Sequence, residues 1–251
     1  MALLCGLIKE ILAHNVGLIY QDGSDQEIYE TRRRFMGEIM LVRHGQANTG
    51  ATDEASYDKL SSLGHTQSKW LGDYLHDHDM KFDRVVSGTL RRHKETRSGM
   101  GLTACAEDDR LNEMQYFPMA EALERRTGRP VPTDPVSFAT HVPITMQAWK
   151  DDELSDIPET YTSFENRIWD VMQEALISDQ RIVYVTSGGV ISVVMARILG
   201  LEVPAMASIL LQIRNSSYHR ISRHNGQLHL HQFNATPHLA HPERAHALTF
   251  V

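Results

Sequence analysis

Ile39-Met40-Leu41-Val42-Arg43-His44-Gly45 decides how the rest of the chain is read: four apolar residues in a row, stopped by a guanidinium, an imidazole and a glycine. An apolar run this short, without alternation, fits a strand buried on both faces. The polar triplet after it reads as the loop at that strand's carboxyl end. The same arrangement recurs twice. Residues 82–86 form a second short strand ending at Ser87-Gly88, and 181–186 a third, followed by Ser187-Gly188-Gly189.

Helices fill the intervals. Residues 63–76 carry Trp70, Leu71, Tyr74 and Leu75 at helical spacing, with Ser61 or Ser62 as the cap. Thr89 opens a polar helix reaching Met100. Tyr161–Leu176 puts Phe164, Ile168, Val171, Met172 and Ala175 on one face, and a further helix runs through Leu199. Tyr218-His219-Arg220-Ile221-Ser222 and Leu228-His229-Leu230-His231 flank Asn225-Gly226, the signal of a β-hairpin. Strands alternating with helices predict an α/β fold: a three-layer αβα sandwich around a central, mostly parallel sheet, with antiparallel character added by the hairpin.

Two stretches stand apart. Leu3, Leu4, Leu7, Ile8, Ile11 and Leu12 give residues 1–35 an amphipathic helical start before the break at 21–25. That segment reads as a docking helix or as a dispensable extension upstream of a natural start at Met36, leaving 36–251 as the folded domain. Residues 117–158 read as irregular, with helical stretches at 119–126 and 143–150, because they hold six of the nine prolines. They suit either a cap over a site or a plain surface insertion.

Composition narrows the chemistry. At 251 residues, 41% of them apolar, the chain can build one sizeable core. A net charge of −7 argues against nucleic acid or an anionic membrane as the main partner, so an anionic ligand needs a local cluster of Arg or His. Cys5 and Cys105, the only cysteines, have no metal-like spacing. They suit a reducing cytoplasm, and no secretory signal or membrane span is expected.

Ligands of open α/β sheets sit outside the carboxyl ends of the strands. The three loops would there gather Arg43, His44, Arg92 and the amides of Gly188 and Gly189, the parts a phosphate dianion needs. His229 and His231 share one strand face and could pair on a metal, but without a third ligand they read as exposed strand residues.

Five ordered blocks then resemble the histidine phosphatase superfamily, the phosphoglycerate mutase-like branch. They are Leu41-Val42-Arg43-His44-Gly45-Gln46-Ala47; Leu60-Ser61-Ser62-Leu63-Gly64-His65-Thr66-Gln67; Val86-Ser87-Gly88-Thr89-Leu90-Arg91-Arg92-His93-Lys94-Glu95-Thr96; Arg110-Leu111-Asn112-Glu113; and Val185-Thr186-Ser187-Gly188-Gly189-Val190-Ile191. The resemblance implies that His44 becomes phosphorylated, that Arg43 and Arg92 bind phosphoryl oxygens, and that Glu113 protonates the leaving oxygen. An alternative register makes Arg91 the ligand. The implied substrate is a small phosphorylated molecule, with no cofactor and no metal, since guanidiniums take the place of magnesium.

The family's second histidine is replaced by Ser187. The resemblance extends to a bacterial branch with Thr-Ser-Gly-Gly at this place. Ser187 keeps a donor, and Gly188 a backbone amide, for the phosphoryl group. Exchanging a charged donor for a neutral one costs about 1–2 kcal/mol, predicting roughly a tenfold loss of rate. His93 or His65 could supply the missing cation, or both are surface histidines. Three functions follow: a phosphomonoesterase working through phosphohistidine, a phosphoglycerate-type mutase, or a non-catalytic phospho-ligand module.

Overall fold

The structure, a computed structural model, describes residues 38–250 apart from 49, 52 and 225. The expectations for residues 1–35 lie outside the described residues. The elements run β1 (Glu38–Arg43), a one-turn α1 (Glu54–Tyr57), α2 (Ser62–Asp77), β2 (Arg84–Ser87), α3 (Arg91–Gly99) and a two-residue β3 (Ala106–Glu107). A 3-10 turn (Asp109–Leu111), α4 (Tyr116–Thr127), α5 (Pro135–Lys150), α6 (Tyr161–Leu176) and β4 (Ile182–Thr186) follow. The chain continues through α7 (Gly188–Leu199), α8 (Val203–Gln212), β5 (Tyr218–His224), β6 (Gln227–Ala235) and two closing 3-10 turns.

The strands line up as β3-β2-β4-β1-β5-β6. β1, β2, β3 and β4 are mutually parallel where they pair, and β5 and β6 add two antiparallel strands at one side. The mostly parallel sheet is as expected. β1 and β4 lie side by side at its centre, and their outgoing connections lead to opposite flanks, β1 to β2 and β4 to β5. This is a switch point, where a crevice opens beyond the strand ends. The β1–β4 register pairs Arg43 with Thr186, so His44 and Ser187 leave the sheet next to each other.

The two-residue period of the strands sorts their side chains into two cores. Ile39, Leu41, Ile182 and Tyr184 face a large cluster built from α4 to α8, with Met119, Trp149, Phe164, Val190 and Met206 in it. Met40, Val42, Val183 and Val185 face the other side, against Leu71 and Leu75 of α2 and Met100. Burying one such Leu or Phe contributes about 1.5–3 kcal/mol. Both faces are covered, giving three layers.

The proline-rich region is more regular than its composition predicts. α5 begins at Pro135 and not at 143, because Asp134 caps it: its carboxylate accepts from Val136 N and Ser137 N, and the Ser137 hydroxyl closes the capping box. Proline at N1 loses no helical hydrogen bond. Pro143, inside the helix, is tolerated where Val142, Met146 and Trp149 anchor the turn in the core. α8 falls in the gap between 199 and 218 that the patterning leaves unassigned. No helix among the described residues is long and apolar enough to cross a membrane.

Candidate active site

Arg43 is the last residue of β1, and His44 follows with its amide bonded to the Thr186 carbonyl (2.9 Å). His44 is 1% exposed. Its Nδ1 lies 2.8 Å from the Gly45 carbonyl, which can only accept, so Nδ1 carries the proton and Nε2 keeps a free lone pair. Burial, Arg92, Arg43 and His93, in that order, hold the imidazole well below its ordinary value of 6.5. It is neutral at physiological pH, the form in which an imidazole can act as a nucleophile.

Gly45 is required by space. A Cβ there would lie 2.4 Å from the Gly64 carbonyl oxygen, and one on Gly64 would lie 2.1 Å from that of Gln46. The two glycines let α2 press against the loop that carries His44. The Gly45 amide donates to Thr96 Oγ1 (3.0 Å) on α3, and Gln46 N donates to Gln67 Oε1 (2.7 Å) on α2.

Arg92, in the first turn of α3, is 2% exposed, whereas Arg91 points outward and pairs with Glu95 (2.6 Å). Asp58 fixes Arg92: one carboxylate oxygen accepts from Arg92 Nη1 (3.1 Å) and Arg92 N (3.2 Å), the other from Arg91 N (2.9 Å). α3 has no cap of its own, so this carboxylate supplies it from a distant loop. The Arg92 guanidinium stands 5.1 Å from the centre of the Tyr57 ring, which also meets His44 edge-on at 6.5 Å. Arg43 donates from Nη1 to the Ile213 carbonyl. The Nε of Arg43 and that of Arg92 are both buried and have no partner among the described residues.

Glu113 lies across from them. Its Oε2 accepts from the Gly189 amide (3.0 Å), and a Cβ at Gly189 would fall 2.1 Å from its Oε1. Enclosure pushes the Glu113 carboxyl above 4.5, against the opposing pull of the Gly189 amide and the two arginines. Three fastenings place the loop: Thr186 Oγ1 donates to the Leu111 carbonyl (2.6 Å), Asn112 is bonded to Thr89, and Arg167 donates to the carbonyls of Arg110 and Asn112.

Ser187 and Gly188 complete the wall. A Cβ at Gly188 would stand 3.6 Å from Arg43 Nε, so the start of α7 is packed on that guanidinium. The structure thus brings Arg43, His44, Arg92, Glu113, Ser187 and Gly188 together. It differs from expectation at His93, which is no surface histidine: it is 0% exposed, 5.8 Å from His44 between ring centres, and bonded through Nε2 to Ser187 Oγ (2.6 Å). His65 does lie at the surface, 3.9 Å from Glu95. His229 and His231 project from the exposed face of β6, and no group of three metal-ligating side chains occurs among the described residues.

Tyr57, Asp58 and Arg167 had no signal in the sequence, since their roles exist only once distant loops meet. His93 had one: Arg92, His93 and Thr96 share a helix face, and all three are buried.

A protein-family model described as "Histidine phosphatase superfamily (branch 1)" matches residues 39–236, and the chain belongs to that family. It is 33% identical to the "Serine/threonine-protein phosphatase Pgam5, mitochondrial" of Drosophila willistoni over 100 residues, 39% of this chain and 30% of that protein. It is 29% identical to the Drosophila pseudoobscura pseudoobscura protein of the same name over 118 residues, 46% of this chain and 37% of that one. The matched part is thus about a third of these relatives' length. Among solved structures it is similar to a phosphoserine phosphatase from Entamoeba histolytica in complex with phosphoserine: TM-score 0.60, 18% identity, covering 81% of this chain and 100% of that one. A mycobacterial glucosyl-3-phosphoglycerate phosphatase bound to VO3 gives TM-score 0.57 at 24% identity, covering 79% and 99%. These structural likenesses establish the shared fold.

Proposed function

We propose that the protein is a metal-independent phosphomonoesterase that passes the phosphoryl group through His44. The observation that carries this reading is a pair of buried guanidiniums with unpartnered Nε–H groups beside a neutral imidazole whose Nε2 lone pair is free. Buried donors are ordinarily satisfied, and a phosphoryl oxygen between the arginines satisfies these. Arg43, Arg92, Ser187 Oγ and the Gly188 amide bind the phosphoryl oxygens. His44 Nε2 attacks phosphorus in line, and Glu113, whose carboxyl is shifted upward by its enclosure, delivers a proton to the departing alkoxide. Glu113 then takes a proton from water, whose oxygen attacks the phosphohistidine and releases phosphate and free His44.

A small substrate fits a nucleophile that is almost wholly enclosed. Beyond Glu113, a cavity of about 270 Å³ is lined by Asp109, Glu159, Met114, Trp149 and their neighbours. With Glu159 holding Arg167 in an ion pair, its walls combine the carboxylates of Asp109 and Glu113, the amides of Asn112 and Gln115, and apolar side chains. Such walls suit an uncharged or cationic leaving group better than the second carboxylate or phosphate of a mutase substrate. Segment 117–158 supplies Met119, Trp149 and Pro158 to these walls, which favours its reading as a cap over the site.

The test is incubation with a 32P-labelled phosphate monoester. Acid-labile label on His44, absent from His44→Ala, is expected together with phosphate release. Release without isomer formation from phosphoglycerate separates hydrolysis from the mutase reading. Saturable phosphate binding without label or turnover would make the site a binding module. We also place the protein in the cytoplasm on its sparse cysteines; cell fractionation decides between this and the mitochondrial location named for the Drosophila proteins.

A further inference from the structure

Ser187 occupies the N-cap of α7 in extended conformation (φ −120°, ψ 169°), yet its side chain makes no capping hydrogen bond. A cap serine normally accepts from the second or third helical amide. Here the second amide, Gly189 N, is taken by the Glu113 carboxylate. The Ser187 hydroxyl is turned instead to His93 Nε2 at 2.6 Å. By strand register Ser187 is the lateral neighbour of His44 at the mouth of the crevice, and the His93 ring stands 5.8 Å from that of His44. The chain also makes room for that ring. A Cβ on Gly88 would lie 2.2 Å from His93 Nδ1, so glycine alone admits the imidazole here.

We propose that His93 is a positioning residue that acts through Ser187, the two forming one hydrogen-bond chain that delivers a polarised donor to the phosphoryl oxygen where the family's pattern places a second histidine. This rests on the reading of His44 as the phosphoryl acceptor.

The tautomer follows from the partners. A Ser187 hydroxyl that donates to a phosphoryl oxygen cannot also donate to His93, so His93 Nε2–H donates to Ser187 Oγ. His93 Nδ1, which has no partner, is then a bare lone pair and not an orphaned N–H, the less costly of the two when buried. Successive hydrogen bonds polarise one another, so the Ser187 proton is a stronger donor than an isolated hydroxyl. Burial and Arg92 hold His93 well below 6.5, so the relay is neutral. No proton changes owner along it.

The test uses p-nitrophenyl phosphate with four variants. His93→Gln keeps an N–H donor and His93→Phe keeps the ring shape without one; Ser187→Ala removes the hydroxyl; His93→Phe/Ser187→Ala removes both. Kcat is expected to fall about tenfold in His93→Phe and in Ser187→Ala, with KM within about threefold, as for loss of part of an oxyanion donor. His93→Gln should stay within about threefold of wild type. The double variant should be no worse than about twofold below the poorer single one, because the two side chains act as one unit. Multiplying losses, or wild-type kcat in folded His93→Phe, would overturn the proposal. Should the Phe variant not fold, Ser187→Thr against Ser187→Ala decides, and equal losses overturn it. Label on His44 is read first in the wild type: its absence counts against the phosphohistidine reading, whereas label present with uncoupled losses counts against this inference alone.

Discussion

With its Nδ1 proton held by the Gly45 carbonyl, His44 has one nitrogen left for chemistry and no charge to lose before using it. Glu113 is shifted the opposite way, upward, by its enclosure. Two groups pushed apart in this manner suit the proposed roles of nucleophile for His44 and acid for Glu113. The pH profile of kcat/KM should therefore show an acid limb below the ordinary histidine value and an alkaline limb above the ordinary carboxylate value. Glu113→Gln should abolish the alkaline limb. It should lower kcat on an alkyl phosphate by about 10²–10⁴-fold, and far less on p-nitrophenyl phosphate, whose leaving group needs little proton assistance. The same variant should raise the melting temperature at pH 7. The folded protein keeps the Glu113 proton above pH 4.5 while the unfolded chain has released it, so the contribution of this group falls as pH rises, and glutamine removes that penalty. Arg92→Lys keeps the charge but not the planar fork shared between Asp58 and a phosphoryl oxygen, and should cost about 10²-fold in kcat/KM, measured under first-order conditions.

At the scale of elements, the strand ends were readable because apolar runs that stop abruptly leave few alternatives. Arg43, His44 and the Gly188 amide followed from that alone, whereas the place of Ser187 came from the family resemblance. α6 was readable to its ends from a clean 3.6-residue stripe above Thr160, which caps it. α5 starts well before the 143–150 stretch that the sequence predicts, because Asp134-Pro135-Val136-Ser137 spells a capping box in which proline is a first-turn residue and not a breaker. Glu113 needed the family resemblance, since nothing local distinguishes it; its loop is set by Thr186, Asn112 and Arg167 from three other elements. The Gly45–Gly64 approach ties α2 to the loop that carries His44. Gly64→Ala would place a Cβ 2.1 Å from a backbone oxygen that cannot rotate aside. It should destabilise the protein by about 1–3 kcal/mol in urea unfolding and lower kcat by displacing His44.

Across the whole molecule, several imidazoles are stored neutral in the interior. His219 and His238 are lowered by burial to about 3, and His44 and His93 lie well below 6.5. The unfolded chain takes up protons on them below pH 6.5, while the folded chain does not until far lower pH. Their contribution is complete above 6.5 and is lost as pH falls. Each costs about 1.4 kcal/mol per pH unit once the unfolded form is charged. Thermal unfolding should show a melting temperature that drops steeply between pH 6 and 5. His238→Gln should flatten that slope if it folds, and an unchanged slope would remove His238 from the account. The two cores that sandwich the sheet differ in size, and Leu71, in the smaller one, is wholly buried. Leu71→Ala should cost about 2–5 kcal/mol by chemical denaturation and leave the pH slope intact.

Asp58 joins two events that are usually separate, the winding of a helix start and the aiming of a guanidinium. Because one carboxylate holds the amides of residues 91 and 92 as well as Arg92 Nη1, the loop cannot lift away while either remains in place. Deuterium uptake at those two amides is therefore a clock for the anion pocket. Each opening that lets solvent reach them also lets the arginine swing free, and a bound phosphate analogue should slow both by the same factor.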